Sequence, residues 1–142
     1  MGRILAIDYG KKRTGIAVTD PLQIIANGLT TIHSKDVIEF LKNYFSKEQV
    51  DCVVVGQPFT MQNKASDASR FIEPFVKSLS KHFPDIPVKR IDERFTSSMA
   101  MQSMIDSGLK KKQRQNKELV DTISATIILQ SYMEQMSNPN FK

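Results

Sequence analysis

The sequence ILAIDYGKKRTGIAVT, residues 4–19, decides the fold of this chain. Its first apolar run predicts a buried strand that ends in Asp8. Residues 9–13 predict a turn and residues 14–19 a second strand, so the two strands form a hairpin. An acid is a poor choice for a strand that has to be buried. Asp8 is therefore the first residue for which a functional explanation is needed.

The rest of the chain alternates between strands and helices. Strands are predicted over residues 28–33, 51–55 and 87–92. The helical predictions are a helix over residues 35–48 capped by Ser34, a helix over residues 66–82, a helix capped by Thr96 or Ser97 that ends at Ser107, and a helix over residues 118–136. A hairpin followed by this alternation is typical of the α/β class, with helices covering a mixed sheet.

Length and composition restrict the classes of protein that fit. A chain of 142 residues with 40% hydrophobic and 25% charged residues is typical of one globular domain. We place this domain at residues 1–137, followed by a flexible tail at residues 138–142. No apolar run approaches the roughly 20 residues that span a membrane, and the N-terminus does not resemble an export signal. We therefore expect a cytoplasmic protein whose single cysteine, Cys52, is a buried and inert thiol.

Two further acids lie at structural edges. Glu93 follows the apolar pair Val88 and Ile91, and Asp121 opens the final amphipathic helix. If the strands that end in Asp8 and Glu93 lie side by side, their carboxylates repel each other unless a cation, usually a divalent metal, lies between them. The formal net charge of the chain is +5. Acids gathered in one place on a basic protein suggest metals that act on a polyanion.

Three motifs resemble those of one known family. Residues 4–20 resemble the opening of the YqgF family, DERFTS at residues 92–97 resembles its second motif, and Lys117 followed by DTISA at residues 121–125 resembles its third. The family, also called RuvX, consists of small bacterial proteins of the RNase H-like superfamily. Its members are described as Holliday junction resolvases and as pre-16S rRNA nucleases. The motifs occur in the family's order, and the resemblance covers nearly the whole chain.

The resemblance implies an RNase H-like fold, a five-stranded mixed sheet flanked by helices. It also implies that Asp8, Glu93 and Asp121 are the catalytic residues and the metal ligands, with Mg²⁺ as the cofactor and Mn²⁺ as an alternative. The sequence departs from the family's pattern at Gln57 and in the glycine-free stretch over residues 60–64. These departures affect the rim of the expected site and not its acids.

Two-metal phosphodiester hydrolysis would use such acids directly. Two Mg²⁺ ions roughly 3.5–4 Å apart can activate the water, neutralise the phosphate and stabilise the leaving oxygen. Asp8, on the central strand, is the acid best placed to bridge both ions. Glu93 would hold one ion and Asp121 the other. Taken singly, Asp121 could be an ordinary acid in the first turn of a helix, and we interpret Asp20 as a turn residue.

Basic residues are the candidates for nucleic-acid contacts. Arg13 and Arg94 can each grip a phosphate with two hydrogen bonds, whereas Lys11 and Lys12 taken individually are interpreted as solvated turn residues. Lys117 could hold a phosphate or the attacking water, or simply pair with an acid four residues later. The last group is either a phosphate-gripping arm or a solvated loop, and consists of Lys110, Lys111, Lys112 and Arg114.

The leading functional prediction is a metal-dependent endonuclease that acts on structured nucleic acid and processes the ends of pre-16S ribosomal RNA. The alternatives are a Holliday junction resolvase, which would need a dimer, and a nucleic-acid-binding module without activity. An actin-like ATPase half is disfavoured because it needs a much longer chain. We expect a nucleic-acid partner, with structured RNA favoured over junction DNA, no membrane association, and a monomer or weak dimer.

Overall fold

The fold is an α/β arrangement built on one sheet. The computed structural model describes residues 2–57, 69–92 and 117–137. The strands are β1 (Arg3–Tyr9), β2 (Arg13–Thr19), β3 (Ala26–His33), β4 (Val50–Gln57) and β5 (Val88–Asp92). The helices are a short 3₁₀ helix (Ser34–Asp36), α1 (Val37–Lys47), α2 (Ser69–His82) and α3 (Lys117–Ser137).

The five strands form one mixed sheet in the order β3-β2-β1-β4-β5. β2 is antiparallel to both of its neighbours, β1 and β3, whereas β4 and β5 run parallel to β1. β1 is therefore the central strand, as the sequence indicated. The predicted α/β class and five-stranded mixed sheet are confirmed.

Alternate residues of β1 enter two hydrophobic clusters on opposite faces of the sheet. Leu5 and Ile7 pack with residues of α1 and α2, whereas Ile4 and Ala6 pack with residues of α3. Full burial of one large aliphatic side chain stabilises a fold by about 1.5–3 kcal/mol. The two faces thus hold helices firmly on both sides of the strand that ends near Asp8.

The helix α3 lies across β1, β2 and β3 at close range. Glycines in β2 and β3 make this approach possible: a methyl group on Gly15 of β2 would overlap the backbone carbonyl of Asp121, and one on Gly28 of β3 would overlap the methyl group of Thr122. The hydroxyls of Thr31 and Thr122 are hydrogen-bonded at 2.6 Å. The hairpin and the start of α3 are therefore in direct contact without intervening side chains at Gly15.

Two details of the predicted helices are wrong. Ser34 does not cap α1, because Ser34 is the first residue of a 3₁₀ helix that precedes α1. The N-cap of that 3₁₀ helix is His33, whose ring nitrogen accepts from the Lys35 amide. Instead, Ser34 is buried and bonded to the turn between β1 and β2. Asp121 does not open α3, which begins one turn earlier at Lys117.

Several predicted segments fall outside the described residues: the start of the helix predicted from residue 66, the helix ending at Ser107, most of the basic stretch 110–117, and the tail 138–142. In the part of the chain that is described, no helix has the length and apolar character needed to cross a membrane.

Candidate active site

Asp8 lies at the carboxyl end of the central strand, on the face covered by α3. It is two residues beyond Ala6, which belongs to the α3 cluster, so the alternation of the strand directs both side chains to the same face. Asp8 pairs with Gly15 across the β1–β2 ladder and is partly exposed. The central strand thus delivers a carboxylate to the end of the groove between the sheet and α3.

Asp121 reaches the same place from α3. Its backbone carbonyl touches Gly15, which is the residue that faces Asp8 in the ladder. The neighbouring Thr122 is fixed by its hydroxyl contact with Thr31 of β3. Gly15 therefore connects the strand that carries the first acid to the helix that carries the second.

The two acids share one cavity with a basic turn. A cavity of about 280 Å³ is lined by Asp8, Asp121 and four consecutive residues, namely Gly10, Lys11, Lys12 and Arg13. Lys11 and Lys12 are exposed, whereas Arg13 is partly buried. The cavity is therefore lined by two carboxylates and by three cationic side chains, of which the exposed lysines form its rim.

Ser34 holds the turn that forms this rim. Its hydroxyl donates to the Gly10 carbonyl at 2.6 Å and lies 2.8 Å from the hydroxyl of the buried Thr14. Its backbone amide donates to the Lys12 carbonyl at 3.0 Å. A methyl group on Gly10 would collide with the Arg13 carbonyl, so only glycine fits there. The turn is thus fixed by buried polar contacts, which are costly to leave unsatisfied.

Arg13 forms an ion pair with Asp121. Its Nε lies 2.8 Å from Oδ2 of the carboxylate, and the two side chains are 39% and 22% exposed. The pair joins residues 108 positions apart in the chain. Arg13 was predicted as a phosphate ligand; in this structure its guanidinium neutralises one of the two acids of the cavity.

The other predicted site residues are only partly described. Glu93, Arg94, Lys110, Lys111, Lys112 and Arg114 lie outside the described residues, and Lys117 is described only as the first residue of α3. Asp20 is a turn residue, as predicted: its carboxylate accepts from the amides of Leu22, Ile24 and Ile25. These hydrogen bonds, that from Ile25 foremost, lower the pKa of Asp20.

Cys52 lies at the opposite end of the sheet from this cavity. It pairs with Ile4 at the start of β1, is half-buried, and its Sγ lies 3.9 Å from the Tyr132 hydroxyl. Burial raises the pKa of the Cys52 thiol, and burial also raises the pKa of Tyr132 to about 12. Both groups therefore stay protonated at neutral pH and take no part in the cavity.

The donor set of the cavity fits a hard divalent cation. Carboxylate oxygens are the ligands that Mg²⁺ prefers, and Mg²⁺ needs only one or two of them because it retains water. Among residues 2–57, 69–92 and 117–137, no group of three or more His, Cys, Asp or Glu side chains could hold a metal ion. The described residues therefore supply two carboxylates to the cavity, Asp8 and Asp121.

Sequence reasoning missed the supporting residues Gly15 and Ser34. Gly15 lies inside the motif over residues 4–20, whereas Ser34 lies beyond it, directly after β3, and neither residue carries chemistry by itself. A glycine in the middle of an apolar strand is a signal of close backbone approach, and it could have indicated that another element packs on Gly15. Ser34 gave no such signal, since a serine before a helix is most simply read as a cap.

Comparison with solved structures places the fold in the RNase H-like class. The chain matches the fowlpox virus Holliday junction resolvase with a TM-score of 0.57 at 21% identity, covering 94% of this chain and 99% of that one. It also matches T. thermophilus RuvC in complex with a Holliday junction substrate, with a TM-score of 0.56 at 15% identity and coverage of 97% and 98%. These similarities establish the RNase H-like architecture.

Sequence comparison identifies the family within that class. The family model described as "RuvX: Holliday junction resolvase" matches residues 2–135. A protein of Phocaeicola vulgatus is 63% identical over 134 residues, which cover 94% of this chain and 96% of that protein. One of Flavobacterium psychrophilum is 62% identical over 133 residues, with coverage of 94% and 97%. Both carry the name "Putative pre-16S rRNA nuclease". The chain belongs to the RuvX family.

Proposed function

We propose that this chain is a metal-dependent nuclease that hydrolyses phosphodiester bonds in structured nucleic acid, and that its substrate is the precursor end of 16S ribosomal RNA. The observation that carries the proposal is the cavity in which Asp8 and Asp121 meet the basic turn Gly10–Arg13. Relatives of more than 60% identity over nearly their whole length bear the name of a nuclease for that RNA. The chemistry of the cavity supports the same reaction.

Divalent ions bound here would polarise the phosphate, lower the pKa of the attacking water and stabilise the leaving oxygen. Asp8 and Asp121 would hold these ions, together with Glu93 as the third carboxylate. Three carboxylates carry a charge of −3 against +4 for two ions, so the scissile phosphate completes the charge balance. Lys11, Lys12 and Arg13 would bind nonbridging oxygens of the neighbouring phosphates.

Resolution of four-way DNA junctions is the second candidate function. The description of the family model and the solved resolvase structures favour it. Symmetric cleavage of a junction needs two acidic centres related by a two-fold axis. A dimer in the presence of junction DNA would therefore support this candidate, whereas cleavage of RNA by a monomer would support the first.

The test offers both substrates to the same preparation. A structured RNA that carries the precursor end of 16S rRNA and a four-way DNA junction are incubated separately with the protein and Mg²⁺ or Mn²⁺. The Asp8→Asn variant controls for contaminating nucleases, and Asp36→Asn removes one exposed acid elsewhere on the surface. We expect the RNA to be cut by the wild type and by Asp36→Asn, but not by Asp8→Asn.

Binding should survive the loss of Asp8. Removing a negative charge from the cavity lowers its repulsion of the phosphate backbone, so the affinity of Asp8→Asn for RNA should be equal to that of the wild type or higher. Full cleavage by Asp8→Asn would reject the metal mechanism, and cleavage of the junction alone would reject the RNA substrate.

A further inference from the structure

We propose that Arg13 is an exchangeable counter-ion: it neutralises Asp121 in the free protein and moves to a substrate phosphate when Asp121 becomes a metal ligand. The inference rests on the proposed function and adds a positioning residue to it. It assigns to one side chain two successive partners of the same charge, the carboxylate first and the phosphate second.

The geometry of the ion pair permits this exchange. Arg13 meets Asp121 through Nε alone, at 2.8 Å, and a guanidinium has five N–H donors, so this contact engages one of the five. The Arg13 side chain lines the cavity and is 39% exposed. It can therefore reach a phosphate at the rim by rotating its side chain, without leaving the cavity.

The backbone of Arg13, in contrast, is fixed. Arg13 begins β2 and pairs with His33 of β3. The turn before it is held by Ser34, and Gly10 lies against the Arg13 carbonyl. The exchange consequently needs no movement of the hairpin. The side chain swings about a rigid base, which limits its reach to the cavity and its rim.

Electrostatics decides between exchange and permanent attachment. A partly exposed ion pair of this kind shifts an equilibrium by roughly 5-fold or less, so it can be given up for a bidentate phosphate contact, which is stronger. A guanidinium that stayed on Asp121 would stand within a few Å of a divalent cation on the same carboxylate and would repel it. The alternative is that Arg13 stays in place and orients the carboxylate for the metal.

The two alternatives predict opposite effects on metal affinity. The test is isothermal titration of Mn²⁺ into the free protein, without nucleic acid, for the wild type and Arg13→Gln. Exchange predicts that Arg13→Gln binds Mn²⁺ more tightly, by about 2- to 5-fold. Weaker binding would show that Arg13 orients Asp121, and unchanged binding would show that the two cations do not compete; either result overturns the inference.

Arg90→Gln is the matched control. Arg90 also pairs with an acid, Glu73 of α2, at 2.7 Å, but on the face of the sheet that α2 covers. Arg90→Gln removes the same charge as Arg13→Gln but not from the cavity, so the Mn²⁺ affinity of Arg90→Gln should equal that of the wild type. If the Mn²⁺ affinity of Arg90→Gln rose as much as that of Arg13→Gln, the change in net charge alone would explain both results, and the inference would be overturned.

A second readout follows the arginine to the phosphate. Binding of the structured RNA at saturating Mn²⁺, measured by rapid mixing before cleavage, should lose about one unit of its log–log salt slope in Arg13→Gln and none in Arg90→Gln. An unchanged slope in Arg13→Gln would overturn the second half of the exchange.

A third readout uses the folded wild type and guards against a variant that fails to fold. The Nε–H resonance of Arg13, assigned through Arg13→Lys, should shift when Mg²⁺ is added. A resonance that does not move at saturating Mg²⁺ would overturn the inference. If the wild type binds no Mn²⁺ and behaves like Asp121→Asn, the proposed metal-dependent function itself fails, which is a different result from unchanged affinity in Arg13→Gln.

Discussion

Gly15 and Asp121 are in backbone contact: a methyl group on the strand residue would overlap the carbonyl oxygen of the helix residue. Gly15 is also the ladder partner of Asp8. The distance between Asp8 and Asp121 therefore depends on residue 15 being a glycine, which has no side chain. Any atom added to Gly15 has to push α3, and Asp121 with it, away from the end of β1.

Gly15→Ala should consequently both destabilise the protein and damage the site. Overpacking of this kind typically costs about 1–3 kcal/mol, and here the neighbour is backbone, which cannot rotate away. Urea unfolding gives the loss of stability, and Mn²⁺ titration gives the loss of metal affinity. Gly28→Ala is the comparison, because its new methyl group meets the Thr122 side chain. It should be the milder change, and equal effects of the two variants would contradict this account.

Ser34→Ala should loosen the basic turn. The change leaves the Gly10 carbonyl and the buried Thr14 hydroxyl without their Ser34 partner, and a lost partner of a buried polar group costs about 1–3 kcal/mol. We expect a lower free energy of unfolding and weaker RNA binding. Ser46→Ala removes a hydroxyl that bonds to a carbonyl on the exposed side of α1 and should leave both quantities within about 0.5 kcal/mol of the wild type.

The basic stretch before α3 remains a sequence-based prediction. Changing Lys110, Lys111, Lys112 and Arg114 to alanine should lower the log–log salt slope of RNA binding by up to about 3–4, if all four residues contact phosphate. Sequence preference should hardly change, since phosphate contacts carry little base information.

The control for that variant removes four lysines that α1 and α2 expose on the other side of the sheet, namely Lys42, Lys47, Lys77 and Lys81. The control should retain most of the slope. If both quadruple variants lower the salt slope of RNA binding equally, the stretch before α3 is a solvated connector that contributes only net charge.

Tyr132 should make the protein sensitive to alkaline pH. Its pKa is raised to about 12 in the fold, against about 10 in an unfolded chain. Between these values the folded state binds more protons than the unfolded state, so the free energy of unfolding is undiminished below pH 10 and falls as the pH rises toward 12. Tyr132→Phe should flatten this fall in urea unfolding. Phenolate absorbance that places the Tyr132 ionisation near pH 10 would contradict the assignment.

The elements with regular periodicity were predictable from sequence. The hairpin and the strand over residues 51–55 follow from apolar patterns, and both are found. The central position of β1 was an expectation from the family resemblance. The helix predicted over residues 35–48 is also found, as α1, and its residues Val37 and Leu41 are fully buried. Local patterns suffice for such features because each depends on neighbours a few residues away.

The contacts that complete the cavity were not predictable in the same way. The Arg13–Asp121 pair joins distant positions, and nothing in either local sequence specifies the other. Ser34 was predicted to be a helix cap because its local sequence fits one. Its actual hydrogen bonds go to the turn and to Thr14, and they depend on tertiary packing that the local sequence does not specify. The sequence resemblance predicted the acids of the site, whereas the residues that hold Asp8 and Asp121 in place are seen only in the packing of α3 on the hairpin.

The long separation between Arg13 and Asp121 has a consequence for synthesis of the chain. A nascent polypeptide that has emerged only as far as β5 already contains the cationic turn and Asp8, but it lacks α3 and therefore Asp121. Closing so long a loop is slow compared with forming the hairpin. The growing chain would thus present the cationic turn and Asp8 well before it contains Asp121, so the cavity is completed only when α3 docks on the hairpin.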